Sequence, residues 1–305
     1  MIYTNLSNFC EGFWTYFANT DNLTIYGSQT LTNAHLKNTL LTHQIYFSIM
    51  ARQSGIIKLK GKIGDLSFYK TKNGYLAREK GGIDKERMKN DPAFQRTREN
   101  GAEFGRAGKA GRLLRTSVRP LLLKAADSQV VSRMTREMMK VVKSDTSNAR
   151  GERTAVDGDI ELLRGFEFNQ SGKLNATMYA PFTAAIDRAT GEATVEIPSF
   201  IPQNTFAAPR GATHMRLIVA ASKVDFEGES FDLDTDESSD IAIGPQSESA
   251  INLTATVPTT GDFPIFLLFG VEFLQEVNGT MYPLKNGAYN ALALVEIDNT
   301  ISGPL

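Results

Sequence analysis

Four carboxylates, Asp225, Glu227, Glu229 and Asp232, fall within eight residues. Paired carboxylates flanking a sugar act as acid and base in glycoside hydrolysis. Their order along the chain leaves their separation open, and few aromatic side chains surround them. The segment Asp232-Leu233-Asp234-Thr235-Asp236-Glu237 opens like a calcium loop. An EF-hand needs Gly at its sixth position for a sharp turn and a bidentate Glu at its twelfth. Glu237 and Ile243 stand there, which excludes an EF-hand. A solvated acidic loop is the expectation, with a looser calcium site between loops as the alternative.

Gly105-Arg106-Ala107-Gly108-Lys109-Ala110 has the glycine and lysine of a phosphate loop. Glu103 replaces its first glycine, and Ala110 replaces the hydroxyl that would bind magnesium. The segment also lies inside a helix-patterned stretch, so phosphate binding is not expected. Cys10, His35 and His43 all precede residue 50, and beyond it His214 is the sole histidine. Beyond residue 49 this leaves no disulfide, thiol nucleophile or Cys/His zinc site. Any Ser-His-Asp arrangement there needs His214, which sits opposite the apolar set of a strand pattern and reads as a surface residue. No catalytic residue, no cofactor, no metal and no small-molecule substrate is expected.

The charge distribution organises the chain. Residues 50–164 carry 26 Lys or Arg against 14 Asp or Glu, a net of +12. Residues 165–305 carry 6 against 18, a net of −12. The overall net charge of −1 hides two blocks of opposite sign. Such blocks imply modules with different partners, or modules that partner each other.

Residues 1–49 hold only three charged side chains, Glu11, Asp21 and Lys37, and show no sustained period. No basic segment precedes the Phe13–Phe17 cluster, so it does not read as a secretory signal. No apolar run is long enough to cross a bilayer, and the cytoplasm is the default location. The composition changes abruptly at Met50-Ala51-Arg52-Gln53. Residues 1–49 therefore read as an untranslated or disordered extension, with an arm that folds on a partner as the alternative.

Residues 50–159 read as a basic hairpin-and-helix module ending in a linker. Leu66–Thr71 and residues 74–80 are β-prone and flank Asn73-Gly74, a hairpin turn signal. Lys58, Lys60, Lys62, Lys70, Lys72 and Arg78 form the candidate basic contact surface. Asp91-Pro92 starts a helix, with Asp as cap and Pro in the first turn. Gly101, Gly105, Gly108 and Gly111 interrupt that helix at about 1 kcal/mol each relative to Ala. Close approach of another element, or a bend, is the expected reason. Pro120 ends it. Val130, Val131, Met134, Met138, Val141 and Val142 then recur at helical spacing. Residues 144–159 are small and polar, and read as the linker.

Residues 160–305 alternate. Met215, Leu217, Val219 and Ala221 form one set, Ile251, Leu253, Ala255 and Val257 a second, and Ala291, Ala293, Val295 and Ile297 a third. Ile265–Phe269 is continuously apolar, as a strand covered on both faces would be. Short strands punctuated by Pro and Asn-Gly predict an antiparallel β-sandwich of the immunoglobulin-like or jelly-roll type. The fold class is α+β: N-terminal hairpin and helices, C-terminal sandwich.

Several phrases carry a resemblance. Residues 50–61 (Met50-Ala51-Arg52-Gln53-Ser54-Gly55-Ile56-Ile57-Lys58-Leu59-Lys60-Gly61), Lys80-Gly81-Gly82-Ile83-Asp84, residues 91–100, Arg119-Pro120-Leu121-Leu122 and residues 270–279 resemble a family of uncharacterised Bacteroidota proteins. The resemblance spans nearly all of residues 50–305 and implies no activity and no functional residues. The expectation from charge and architecture is a non-enzymatic structural or interaction protein that self-associates, an assembly component of phage or mobile-element type. Nucleic-acid binding by the basic module is the alternative. No membrane partner is expected.

Overall fold

The computed structural model describes residues 15–19, 22–26, 50–71, 74–79, 83–125 and 127–299. Two compact units result, Met1–Ile83 and Asp84–Leu305.

In the first unit, β1 (Thr15–Asn19) pairs antiparallel with β2 (Asn22–Tyr26). A separate antiparallel sheet comprises β3 (Met50–Arg52), β4 (Gly61–Ile63), β5 (Leu66–Thr71) and β6 (Gly74–Glu79), in the order β3-β6-β5-β4. Gly64 has φ +56 and opens the two-residue turn between β4 and β5. A left-handed first residue suits a type II′ turn, whose twist matches that of the strands. The expected hairpin forms, with β5 pairing antiparallel with β6 from Leu66 opposite Glu79 to Thr71 opposite Gly74; residues 72 and 73 lie outside the described residues. Gly74 enters the strand at φ +114, a conformation open to glycine.

In the second unit, Asp91 accepts a hydrogen bond from the Ala93 amide at 2.9 Å. With Pro92 it opens a short 3-10 turn that runs into a long helix, as expected. The helices are α1 (Lys85–Asn90), α2 (Gln95–Ser117), α3 (Arg119–Ala125), α4 (Val130–Ser144), α5 (Leu174–Thr177) and α6 (Pro202–Thr205). The strands are β7 (Thr183–Asp187), β8 (Glu192–Ile197), β9 (His214–Asp225), β10 (Ser230–Glu237), β11 (Ile241–Ala242), β12 (Ile251–Thr256), β13 (Ile265–Val277), β14 (Thr280–Pro283) and β15 (Ala291–Asp298). A six-stranded sheet runs β10-β9-β13-β14, with β11 beside β9 and β15 beside β13. A three-stranded sheet, β12-β8-β7, faces it. The fold is α+β, with a curled, sandwich-like antiparallel β region after the helices.

The continuous apolar run of β13 explains the layering. Ile265, Leu267, Phe269, Val271 and Phe273 enter the core shared with the small sheet. Phe266 and Leu268 enter a second core, where Leu114, Met134, Met138, Val141 and Val142 of α2 and α4 meet the opposite face. Strand β9 divides likewise, with Met215, Leu217, Val219 and Ala221 on one side and Ile218, Ala220 and Val224 on the other. The face opposite the apolar set is thus covered by helices rather than solvent over most of β9. In β15 the alternation breaks. The register shifts between Leu267 and Leu268, which face Glu296 and Leu294. One extra residue turns the following side chains over. Ala291 and Ala293 lie in one core and Ile297 in the other, not on one face as their spacing predicts.

Residues 144–159 are packed rather than acting as a linker. Asp145, at the end of α4, is buried and accepts from the amides of Ser147 and Thr154 at 2.8 and 2.9 Å. Glu103 of α2 accepts from the Gly151 amide at 2.8 Å. Arg106 donates to the Gly151 carbonyl at 2.6 Å. A Cβ on Gly158 would overlap the Val141 carbonyl oxygen, so only glycine permits this approach. These polar side chains hold the loop onto α2 and α4, and the compact unit begins at Asp84 instead of residue 160.

This packing sets an expectation for fragments. Residues 84–305 should melt in one cooperative transition, because both cores lie within them. Residues 160–305 should fail to do so, because Phe266, Leu268 and Leu294 lose their helical cover. Circular dichroism melts of the two fragments check this, and a cooperative, stable fragment 160–305 would contradict it.

Candidate interaction surfaces

The candidate basic residues in the first unit do not share one surface. Antiparallel pairing places Lys62 opposite Ser67 and Ser67 opposite Arg78. These lie on one face of the sheet with Tyr69 and Leu76. Lys70 pairs with Tyr75 on the other face, together with Ile63, Leu66, Phe68 and Ala77. Lys58 and Lys60 lie in the segment before β4 and are exposed. Lys58 donates to the Gln53 carbonyl at 2.6 Å. Lys72 lies outside the described residues. The aromatic rings are engaged locally: Arg78 lies 5.6 Å over the Tyr69 ring and Lys70 5.6 Å over Tyr75. Such cation–π pairs occupy the faces on which bases would stack.

The apolar residues of this sheet are the less expected feature. None of the described residues from 51 to 79 is buried. Ile56 and Ile57 are fully or almost fully exposed, and Ile63 and Leu66 are 61% and 45% exposed. A small sheet needs an apolar face covered to be stable in water. On the face they share, Ile63 and Leu66 are exposed, while Phe68, Tyr75 and Ala77 are half-buried. The alternation Ile57, Leu59 against Lys58, Lys60 signals this in the sequence, but the lysines draw attention first.

In the second unit the carboxylate cluster is dispersed by structure. Asp225 turns the chain between β9 and β10, accepting from the amides of Glu227 and Gly228 at 2.9 and 2.8 Å. Glu229 pairs with Lys109 at 2.7 Å. On β10, Asp234 and Asp236 accept from the Thr256 and Thr254 amides of β12 at 2.8 and 3.0 Å. They join two sheet edges through side chains, where the sequence leads one to expect a solvated acidic loop. Among the described residues, no group of three or more His, Cys, Asp or Glu is arranged to hold a metal ion. His214 is half-buried at the start of β9, 3.0 Å from the Thr213 hydroxyl. The phosphate-loop-like segment lies within α2.

The buried charges of this unit are structural. Lys223 is 2% exposed and donates to the carbonyls of Pro258 and Thr260 at 2.9 and 3.0 Å. Burial pushes its ammonium group down from the usual range. A cleft of about 520 Å³ near Arg133 holds Arg164, Lys173, Glu137 and Glu167. Arg133 donates to the carbonyls of Glu167 and Phe168 and pairs with Asp127 at 2.8 Å. Burial raises the Glu167 carboxyl, against the Leu174 amide that donates to it. Arg164 pairs with Glu161 and Glu296. These contacts tie α4 to residues 160–174 and leave the cleft's charges largely balanced in place.

A second groove, of about 740 Å³, runs along α4 beside Phe104 of α2. Phe104 is 59% exposed and Val131 51%. Val131 belongs to the expected apolar stripe of α4, but it faces this groove while Val130, Met134 and Met138 face the core. No described helix is long and apolar enough to cross a membrane. No family model, no curated protein and no solved structure matches the chain.

Asp145 supplies the test of the loop network. Burial raises its carboxyl, but hydrogen bonds from the Asn148 side chain and the Thr154, Asn148 and Ser147 amides outweigh it and hold it at about 2. Its stabilisation is therefore full above the unfolded value of 3.8 and is lost as pH falls through that value toward 2. Asp145→Ala should cost about 2 kcal/mol at neutral pH by leaving several half-buried donors without their acceptor. The variant should also lose less stability than the parent between pH 4 and pH 2. Urea melts across that range check both, and parallel acid profiles would contradict the assignment.

Proposed function

We propose that this chain is a non-enzymatic structural or interaction protein that self-associates, in the manner of an assembly component. The observation that carries this reading is the exposure of Ile63 and Leu66 on one face of the β3–β6 sheet. At about 25 cal/mol per Å² of apolar surface, covering that face favours association. Lys58, Lys60, Lys62, Lys70, Lys72 and Arg78 make the same unit basic. Residues 165–305 of another copy, with a net charge of −12, supply the opposite sign. Complementary fields speed and orient such encounters and leave apolar contact to supply affinity. The charge division and sandwich-like β region suit an assembly part of phage or mobile-element type, by analogy of plan alone. The resemblance to Bacteroidota proteins fits a family built on the same two-part plan. Nucleic-acid binding is less favoured, because the candidate cations divide between two faces and the tyrosines are engaged.

Sedimentation velocity tests the reading. Residues 50–305 should associate at micromolar concentration and dissociate as salt rises, and residues 84–305 should remain monomeric. Ile63→Lys with Leu66→Lys should abolish association. A monomeric 50–305 chain would contradict self-association. Salt-sensitive duplex DNA binding in its place, with a log–log slope of about −0.9 per phosphate contacted, would favour the alternative.

A further inference from the structure

We propose that the groove between α2 and α4 is a docking site for an acidic amphipathic helix of another protein. This surface is distinct from the basic sheet, and the inference does not depend on self-association.

The first observation is the groove itself. Phe104, Val131, Thr135 and Met139 form its floor, and Arg136, Lys140 and Lys143 line it. Arg136 and Lys140 share one carboxylate, Glu137. Three cations against that one acid leave the rim positive.

The second observation is the helix α2. Gly101, Gly105 and Gly108 recur at i, i+4 and i+7 and point outward. A Cβ on any of them would meet no atom within 4 Å. Gly111 differs, because a Cβ there would stand 3.2 Å from Met134 Cγ of α4. Packing within the chain therefore explains Gly111 and leaves the other three unexplained. Each still weakens the helix relative to alanine. Bare backbone on an outward face lets another helix approach closely, as small residues do wherever helices pack tightly.

Shape and charge define the occupant. The lining of α4 from Val131 to Lys143 extends about 18 Å, or three helical turns. A helix presenting apolar side chains at i, i+3, i+4 and i+7 matches such a groove. The positive rim calls for acidic residues on its flanks. A second copy of α2 or α4 would bring like charges together, since both helices carry outward Arg and Lys. A nucleic acid would leave Phe104, Val131 and Met139 without apolar partners.

The test uses the full chain. The probe is a fluorescein-labelled amphipathic peptide of about 18 residues, with Leu on one face and Glu on the other. Its control carries Lys in place of Glu. Anisotropy should show saturable, salt-weakened binding of the Glu peptide and none of the Lys peptide. Phe104→Ala and the double variant Gly105→Leu, Gly108→Leu should each weaken binding about tenfold or more. The glycine variant should also raise the melting temperature by about 2–4 °C for each substitution, because leucine favours the helix. Failure of the Glu peptide to bind would overturn the proposal. So would equal binding of both peptides, unchanged binding by the glycine variant, or a lowered melting temperature showing that those glycines serve the fold. Displacement of the peptide by a short DNA duplex would assign the groove to nucleic acid and overturn it equally.

Discussion

Strand β13 is apolar on both faces from Ile265 to Phe269, and a strand of that kind cannot stand at a surface. Leaving either row in water would forfeit about 1.5–3 kcal/mol for each large side chain. Two covers are therefore required, and the second unit supplies them from different sources. The three-stranded sheet covers Ile265, Leu267 and Phe269, and helices α2 and α4 cover Phe266 and Leu268. The buried hydrogen bond from Ser222 to Ser117, at 2.8 Å, joins β9 to α2 within that second layer. The helices belong to the basic half of the sequence, yet they are part of the same folded body as the acidic strands. Charge thus marks surfaces here and does not mark domain boundaries.

A sandwich with open edges carries unpaired backbone groups, and this one satisfies several through side chains. Asp234 and Asp236 reach from β10 to the amides of β12. Lys223 holds the carbonyls of the 258–260 loop from within the sheet. Asn290 accepts from the Phe273 amide at 2.9 Å and donates to the Lys124 carbonyl at 3.1 Å, linking β13 to α3. Lys223 and Asn290 are buried, and their hydrogen bonds to backbone offset that cost. The acidic segment 232–237 is therefore a strand that joins two edges rather than a solvated loop.

Much of the fold was legible in the residues. The alternation of Met215–Ala221 and Leu253–Val257, the unbroken apolar run at Ile265, and the Asp91-Pro92 start all report local geometry, which short-range pattern encodes. The face reversal in β15 was not legible, because a single bulged residue leaves composition unchanged. Nor was the packed loop at 144–159, whose small polar residues resemble a linker until Asp145 and Glu103 are seen to hold its amides. The candidate site was only partly legible. Lysine clustering was visible, but the separation of Lys62 and Arg78 from Lys70 follows from strand register. The glycines of α2 signal close approach, but among the described residues only Gly111 of the four meets a neighbouring element.

In the β3–β6 sheet, none of the described residues from 51 to 79 is buried, whereas the second unit covers two apolar faces. If another copy provides that cover, the sheet is held together by association. Hydrogen–deuterium exchange of residues 50–305, measured across a dilution series, tests this most directly. Amides of β4, β5 and β6 should be protected at high concentration and exchange rapidly on dilution, while those of β9 and β13 stay protected throughout. Protection of residues 61–79 that does not change with concentration would contradict the account.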